Sequence, residues 1–175
     1  MNDHGSKAGT TRRQFLATTG GVSLAAFAPG SLASLPTTVN LAPFAKVSAS
    51  FSTTLRKVRA VNSGYAPTSS RDRAREAYDA WPNVGADWLE YEWPEEIATD
   101  RVEIYWLADG WDVALPTDFA VQFWDGRDFV AVRNAQVPAI EGNRFNALRF
   151  SPERTRRLRL RFSGNGKKSA GVNPN

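Results

Sequence analysis

The sequence contains no cysteine, and its single histidine is His4. Without cysteine the chain forms no disulfide and offers no thiolate to a metal ion. Because no histidine follows residue 4, the rest of the chain supports neither Ser-His-Asp nor Cys-His catalysis, and it holds no zinc through imidazole. Two classes of function remain: chemistry carried by carboxylates, or binding without chemistry.

A strong excess of charge is missing as well. The chain has 22 basic and 18 acidic residues, for a net charge of +4. Residues 1–33 hold three of the basic residues and one of the acidic ones, so 19 and 17 remain beyond residue 33, a balance near +2. This composition gives no reason to expect nucleic acid as a partner.

Long hydrophobic runs are also absent, but a mildly apolar stretch follows a pair of arginines near the N-terminus. Arg12 and Arg13 precede an uncharged segment, residues 17–33, that is rich in Ala, Gly, Thr and Ser. This pattern predicts a twin-arginine signal peptide over residues 1–33, cleaved after Ala33, and not a stable membrane anchor. We therefore expect export to the periplasm or the cell exterior, with the twin-arginine translocase as the partner during export.

Beyond a lead-in linker at residues 34–45, apolar and polar residues alternate with a period of two. The clearest run is 156–162, where three apolar residues that we expect to face inward alternate with three arginines: Leu158, Leu160 and Phe162, and Arg157, Arg159 and Arg161. The pair Asp125-Gly126 between two apolar runs favours a tight hairpin. A helix-like stretch at 70–80 is too short to matter. Such short strands, spaced by turns, predict an all-β antiparallel sandwich or barrel.

Several short motifs follow one another along this β-rich region. They are Val61-Asn62-Ser63-Gly64-Tyr65, Pro67-Thr68-Ser69-Ser70 with Asp72, Ala80-Trp81-Pro82, Trp88-Leu89-Glu90-Tyr91, Val102-Glu103-Ile104-Tyr105-Trp106, Asp109-Gly110, Leu115-Pro116 and Trp124-Asp125-Gly126. In order and spacing they resemble the galactose-binding-like modules (coagulation factor 5/8 type C, or discoidin-like) that are appended to secreted bacterial glycoside hydrolases. The resemblance implies an antiparallel jelly-roll β-sandwich, here residues 46–165, whose end loops bind a sugar-type ligand.

The chain departs from that family in two places. Family members usually have Asp-Gly where Ser63-Gly64 stands, in a loop that helps to hold a structural calcium ion. Losing the carboxylate weakens such a site, so we expect no metal, although Asn62 still offers an oxygen. Residues 166–175 do not read as the usual last strand. We expect a disordered or truncated tail there, in a module that lacks this strand or is the remnant of a longer enzyme.

Candidate ligand-binding residues lie in the loops. Trp81 and Trp111 sit among Gly, Pro and Asp, and a tryptophan in a loop can stack on the apolar face of a sugar. Arg73, Tyr78 and Asp109 are the other candidate ligand-binding residues: Arg73 and Asp109 can form hydrogen bonds with hydroxyl groups, beside the aromatic ring of Tyr78. Alternatively, the two tryptophans plug the ends of the sandwich, Arg73 belongs to a solvated loop with ion pairs, and Asp109 caps its loop.

Paired carboxylates raise the question of glycoside hydrolysis, which needs two of them across one bond. Glu90 and Glu92 share a strand face, but nothing in the sequence indicates a raised pKa. We expect no catalytic residue and no cofactor. The favoured function is a non-catalytic carbohydrate-binding module, an accessory or remnant of a glycoside hydrolase. The alternatives are a structural domain that packs on a catalytic domain without binding sugar, and a fragment of a glycosidase.

Overall fold

A computed structural model describes residues 39–174, apart from residues 53, 66, 73–75, 109 and 112. The signal peptide that we predict over residues 1–33, with Arg12 and Arg13, lies outside the described residues. The chain divides into two compact units, and the described residues all belong to the second, Thr38–Asn175. No helix in this part of the chain is long and apolar enough to cross a membrane.

The described residues form eight strands and one short α-helix, after a 3-10 turn at Ala42–Phe44. In chain order these are β1 Lys46–Ala49, α1 Leu55–Ala60, β2 Tyr78–Asp79, β3 Ala86–Leu107, β4 Val113–Ala114, β5 Asp118–Trp124, β6 Phe129–Ala131, β7 Phe145–Ser163 and β8 Ser169–Pro174. Among them, β4 and β8 run parallel, and every other strand pair is antiparallel.

The long strands β3 and β7 pair with each other and bend together, which folds a single sheet into two layers. At the bend the register shifts, because Glu92 faces Arg157 whereas Ile97 faces Thr155. Extra residues on one strand make a bulge, and a bulge bends the strand. The first layer contains β1, the first half of β3, the second half of β7, β5 and β6. The second layer contains β2, β8 and the other halves of β3 and β7, with β4 beside β8.

The core lies between the two layers and is centred on aromatic rings. Leu158, Leu160 and Phe162 of the first layer face inward, as the alternation predicts. Trp106 of the second layer is 0% exposed, and its ring centroid lies 5.2 Å from that of Phe119 and 6.0 Å from that of Phe162. Edge-to-face contacts of this kind add to the burial energy of each ring. The prediction of an antiparallel β-sandwich is confirmed.

The hairpin predicted at Asp125-Gly126 is also confirmed. Gly126 has φ +104°, a conformation that side chains disfavour, and the loop joins β5 to β6. The carboxylate of Asp125 accepts hydrogen bonds from the backbone N–H groups of Arg127 and Asp128, both at 2.8 Å. These two bonds hold the pKa of Asp125 below its ordinary value, and the bond from Asp128 has the larger effect.

The described residues of the helix-like stretch at 70–80 form no helix. Tyr78 and Asp79 of that stretch form β2, which pairs with β8. The helix is α1, and the side chain of Thr54 begins it by accepting a hydrogen bond from the backbone N–H of Lys57. The sequence signal for α1 was Thr54, since threonine is favoured at the N-cap position. The Ala/Arg/Glu composition of residues 70–80 is the more conspicuous helix-like pattern in the sequence.

The prediction of a disordered or truncated tail at residues 166–175 is wrong as well. Residues 169–174 form β8, which lies between β2 and β3, and Val172 is completely buried. The sequence does not predict this strand, because Gly171 lies in its interior and glycine weakens a strand there. The reason for Gly171 is close packing: a Cβ atom at this position would lie 2.6 Å from Cγ1 of Val113.

Part of the predicted linker at residues 34–45 belongs to the folded domain. The indole Nε1 of Trp93 donates to the carbonyl of Leu41 at 2.8 Å, and Ala45 is buried. The amide Nδ2 of Asn62 donates to the carbonyl of Ala45, also at 2.8 Å. Residues 41–45 are therefore fixed to the sandwich immediately before β1.

We expect Trp106→Ala to lower the free energy of unfolding by about 3–5 kcal/mol, because it removes a ring that both layers contact. Urea denaturation followed by far-UV circular dichroism measures the loss. The matched control is Phe44→Ala, which removes an aromatic ring that is 69% exposed and should change stability by about 0.5 kcal/mol or less. Equal losses in the two variants would contradict the central position of Trp106.

Candidate functional site

Trp81 and Trp111 lie on loops that meet at the start of β8. Ala80 donates its backbone N–H to the carbonyl of Ala170, which brings residue 81 beside the first residues of β8. In β4, Val113 pairs with Ser169, which brings residue 111 to the same place from another loop. We call this end of the sandwich the loop end; its described residues are loops 80–85 and 164–168 together with residues 108, 110 and 111.

The side chains of both tryptophans are open to solvent. Trp81 is 49% exposed and Trp111 is 79% exposed, whereas Trp93 and Trp106 are buried. The alternative that the loop tryptophans plug the sandwich therefore does not describe them. Large exposed aromatic side chains are a feature of recognition sites, because they offer much contact area for little loss of side-chain entropy.

Hydrogen bonds from the strand before it hold the loop that carries Trp81. Asp79 accepts from the backbone N–H of Trp81 at 3.2 Å through Oδ1, and its Oδ2 forms a 2.8 Å ion pair with Lys57 of α1. The peptide bond between Trp81 and Pro82 is cis. The indole is thus presented by a backbone that two neighbouring elements fix.

A buried carboxylate fixes the rest of this loop. Asp87 is 3% exposed and accepts hydrogen bonds from Oγ of Ser50 at 2.7 Å and from Nδ2 of Asn83 at 2.9 Å. Asn83 in turn accepts from the backbone N–H of Gly85 through Oδ1. Because each carboxylate oxygen has a donor, Asp87 joins β1, β3 and the loop into one rigid unit.

The loop that carries Trp111 is held at both of its ends. The backbone N–H of Ala108 donates to Oγ of the buried Ser70, whose own N–H donates to Oδ1 of Asn143 at 2.7 Å. Gly110 has φ +85°, and its carbonyl accepts a 3.5 Å hydrogen bond from Nζ of Lys168. The ammonium group of Lys168 therefore lies next to the turn that presents Trp111.

The other candidate residues from the sequence have different fates. Tyr78 is fully buried in the core, and its hydroxyl donates to the carbonyl of Phe51 at 2.6 Å. Burial raises the pKa of Tyr78 far above its ordinary value, and the negative charges of Asp87 and Asp79 raise it further. The phenol therefore stays protonated. A ligand cannot reach this side chain. Arg73 and Asp109 lie outside the described residues.

Sequence reasoning missed Lys168 and Asp87. Lys168 falls in the segment that we expected to be a disordered tail, so its position beside Gly110 follows only from β8. Asp87 directly precedes Trp88 in a strand pattern, and an acidic residue in a strand normally indicates a solvent-exposed position. The available signal was Asn83, four residues earlier, in the Pro/Asn/Gly-rich turn typical of side chains that bind loop backbone.

The loop at Ser63-Gly64 does not fit the calcium site that the resemblance implies. Gly64 has φ +71°, which preserves the turn, but Ser63 supplies no carboxylate. The amide of Asn62 is turned toward Ala45, to which it donates. Within the described ranges, no group of three or more acidic or histidine side chains is placed to hold a metal ion.

The carboxylates weighed for catalysis are not arranged as an acid-base pair. Glu90 is buried, and each of its oxygens accepts from an arginine: Oε1 from Arg157 and Oε2 from Arg159, at 2.8 Å in both cases. Glu92, two residues on, is exposed. Both oxygens of Glu90 are thus engaged by arginines, and no described hydrogen bond links Glu90 to Glu92.

Comparison with known proteins supports the fold. No family model matches the sequence, and no curated protein does. Solved structures do match. One is from the β-galactosidase BgaA of Streptococcus pneumoniae, at 15% identity and a TM-score of 0.64, covering 73% of this chain and 87% of that one. Another is chitosan-binding module 1 of a chitosanase/glucanase from Paenibacillus sp. IK-5, at 14% identity and a TM-score of 0.57, covering 76% and 92%.

A third match is CpGH89CBM32-5 from Clostridium perfringens, in complex with GalNAc-β-1,3-galactose. The identity is 12%, the TM-score is 0.52, and the alignment covers 75% of this chain and 96% of that one. The structural neighbours are thus carbohydrate-binding modules and other parts of glycoside hydrolases. The fold implied by the resemblance, an antiparallel jelly-roll β-sandwich, is confirmed.

Asp87→Asn should lower the free energy of unfolding by about 1–3 kcal/mol. The substitution replaces one carboxylate oxygen, which accepts a hydrogen bond, with an amide NH₂, so that two donors then face each other. Urea denaturation checks this. Asp100→Asn, at an exposed position in β3, makes the same chemical change where no described side chain bonds to the carboxylate, and it should leave stability within about 0.5 kcal/mol. No loss in Asp87→Asn would show that the loop is not held through this carboxylate.

Proposed function

We propose that this protein is a non-catalytic carbohydrate-binding module that binds its ligand at the loop end. The observation that carries the proposal is the convergence of two exposed tryptophans, Trp81 and Trp111, on two separately anchored loops beside the start of β8. The fold of the neighbouring modules supports it, although fold alone does not assign a function.

The chemistry of the loop end suits a sugar. Pyranose rings carry apolar C–H faces, and an indole ring offers a flat apolar surface for them to stack on. The ammonium group of Lys168 and the amide of Asn83 lie on the same loops and can donate hydrogen bonds to hydroxyl groups. Because the hydrogen bonds of Asp79 and Asp87 already fix these loops, little conformational entropy is lost on binding.

A module of this kind acts through effective concentration. When it is joined to, or associated with, a hydrolase, it keeps that enzyme on its polysaccharide and so raises the local substrate concentration. Accordingly, we propose that a glycoside hydrolase catalytic domain is its partner. The paired state of Glu90 supports a non-catalytic role for the chain itself.

Trp81→Ala and Trp111→Ala should each weaken polysaccharide binding about tenfold or more, since each removes a stacking surface. Affinity-gel electrophoresis across a panel of neutral plant and microbial polysaccharides measures this. Phe44→Ala is the matched control, because Phe44 is 69% exposed just before β1, near the bend end of the sandwich. Its mobility should equal that of the unaltered protein.

No retardation by any polysaccharide, with protein shown to be folded, would favour the alternative: a domain that packs on a catalytic domain and binds no sugar. Equal weakening by Phe44→Ala would mean that contact with exposed aromatic rings is non-specific. Retardation that survives both tryptophan variants would place the site elsewhere on the sandwich.

We further propose that the protein is exported in the folded state by the twin-arginine route, on the strength of Arg12, Arg13 and the uncharged segment that follows them. Changing Arg12→Lys together with Arg13→Lys should leave the uncleaved protein in the cytoplasm. Fractionation and immunoblotting measure this. Lys7→Gln, which changes the charge of the same region but keeps the pair, should still be exported. Normal export of the double variant would overturn the assignment.

A further inference from the structure

The outer surface of the first layer carries a second cluster of aromatic and basic side chains, which distinguishes it from an ordinary solvated strand face. We call it the arginine face, and it consists of Trp88, Trp124, Phe129, Arg157, Arg159 and Arg161. The strand register brings these residues together, because Trp88 of β3 faces Arg161 of β7, and Trp124 of β5 faces Phe129 of β6. Trp88 and Trp124 are separated by about 15 Å, two strand spacings across and four residues along the sheet.

Glu90 organises two of the arginines on this face. Its side chain is 7% exposed and accepts from Nε and Nη2 of Arg157 and from Nη2 of Arg159. A single carboxylate thus fixes two guanidinium groups side by side. The pair is held in place but only half neutralised, since one negative charge faces two positive ones.

Aromatic rings support the same two groups from below. The guanidinium carbon of Arg159 lies 3.7 Å from the ring centroid of Phe129 and 4.5 Å from that of Trp88. That of Arg157 lies 4.7 Å from the ring of Trp124 and 5.0 Å from that of Phe129. Stacking uses the flat faces of a guanidinium and leaves the N–H groups at its edge available for hydrogen bonds.

Several donors on this face have no acceptor in the described structure. Arg157 and Arg159 both stand on the outer surface, where Nη1 of each takes part in no described hydrogen bond. The buried Nε of Arg159 also lacks a partner. Arg161 is exposed on the same strand face, and no described carboxylate forms an ion pair with it. By contrast, Arg154 and Arg156, near the bend, are paired with Glu96 and Glu95.

We propose that the arginine face is a second ligand site, which binds the carboxylate or sulfate groups of an anionic polysaccharide. Fixed, stacked guanidinium groups present N–H donors in the planar arrangement that carboxylate and sulfate oxygens accept. On this face Lys46, Arg157, Arg159 and Arg161 exceed Glu90, Glu92 and Asp118 by one charge, and the arginines are complementary to such a polymer. The half-exposed rings of Trp88 and Trp124 supply apolar contact for sugar rings between the charged groups. This site is separate from the loop end and does not depend on it.

The test measures binding to polygalacturonate, which carries carboxylates, and to dextran sulfate, with neutral dextran and a single-stranded DNA of similar length as controls. Affinity-gel electrophoresis at low and at physiological salt is suitable. Arg161→Gln should weaken binding about fivefold or more, because it removes an exposed, charge-assisted donor without disturbing the Glu90 cluster. Arg149→Gln removes the same charge from an exposed position in the other half of β7, and it should weaken binding about twofold or less.

Binding to one or both anionic polymers with this difference between the variants supports the site, and the preferred polymer tells carboxylate from sulfate. Retention that persists in Trp81→Ala and Trp111→Ala supports its separation from the loop end. Three results would overturn the proposal: no retention by either anionic polymer, equal weakening by Arg161→Gln and Arg149→Gln, or equally tight binding of the DNA with the same dependence on Arg161.

Discussion

The contact of Trp106 with Phe119 and Phe162 holds the two layers of this sandwich together. A single sheet that bends back on itself stays closed only if burying apolar surface between its inner faces stabilises it by more than the conformational entropy it loses. Trp106 supplies the largest fully buried side chain at that interface. Because both proposed binding surfaces are built on the strands it joins, their geometry depends on this one packing arrangement.

The sequence predicts the parts of the fold that repeat a pattern. Leu158, Leu160 and Phe162 alternate with arginines, and the first three are buried as predicted. It fails where a residue serves a local packing need. Gly171 reads as a strand breaker, yet the absent side chain allows β8 to lie against Val113. Residues 70–80 have the composition of a helix, but Tyr78 and Asp79 of that stretch pair with β8 as a strand.

The candidate site could be predicted only in part. The setting of Trp81 and Trp111 among loop residues leaves two interpretations open, stacking on a ligand or plugging the sandwich, and only the exposure of the two indoles in the structure argues against the second. Nor does the setting show that two loops meet at β8, since that requires the strand order. Tyr78 was misjudged for a related reason: its neighbours in sequence are polar, whereas its neighbours in space are the aromatic residues of the core.

The position of β8 also governs how the chain can fold as it is made. Among the described strands, β2 and β4 each form their ladder with β8, so neither strand has its ladder partner until β8 leaves the ribosome. Until then the second layer exposes an open edge and part of the core. The second layer of this domain is therefore completed only after β8 has been synthesised, and a nascent chain needs protection from neighbouring strands for as long as that edge stays unfilled.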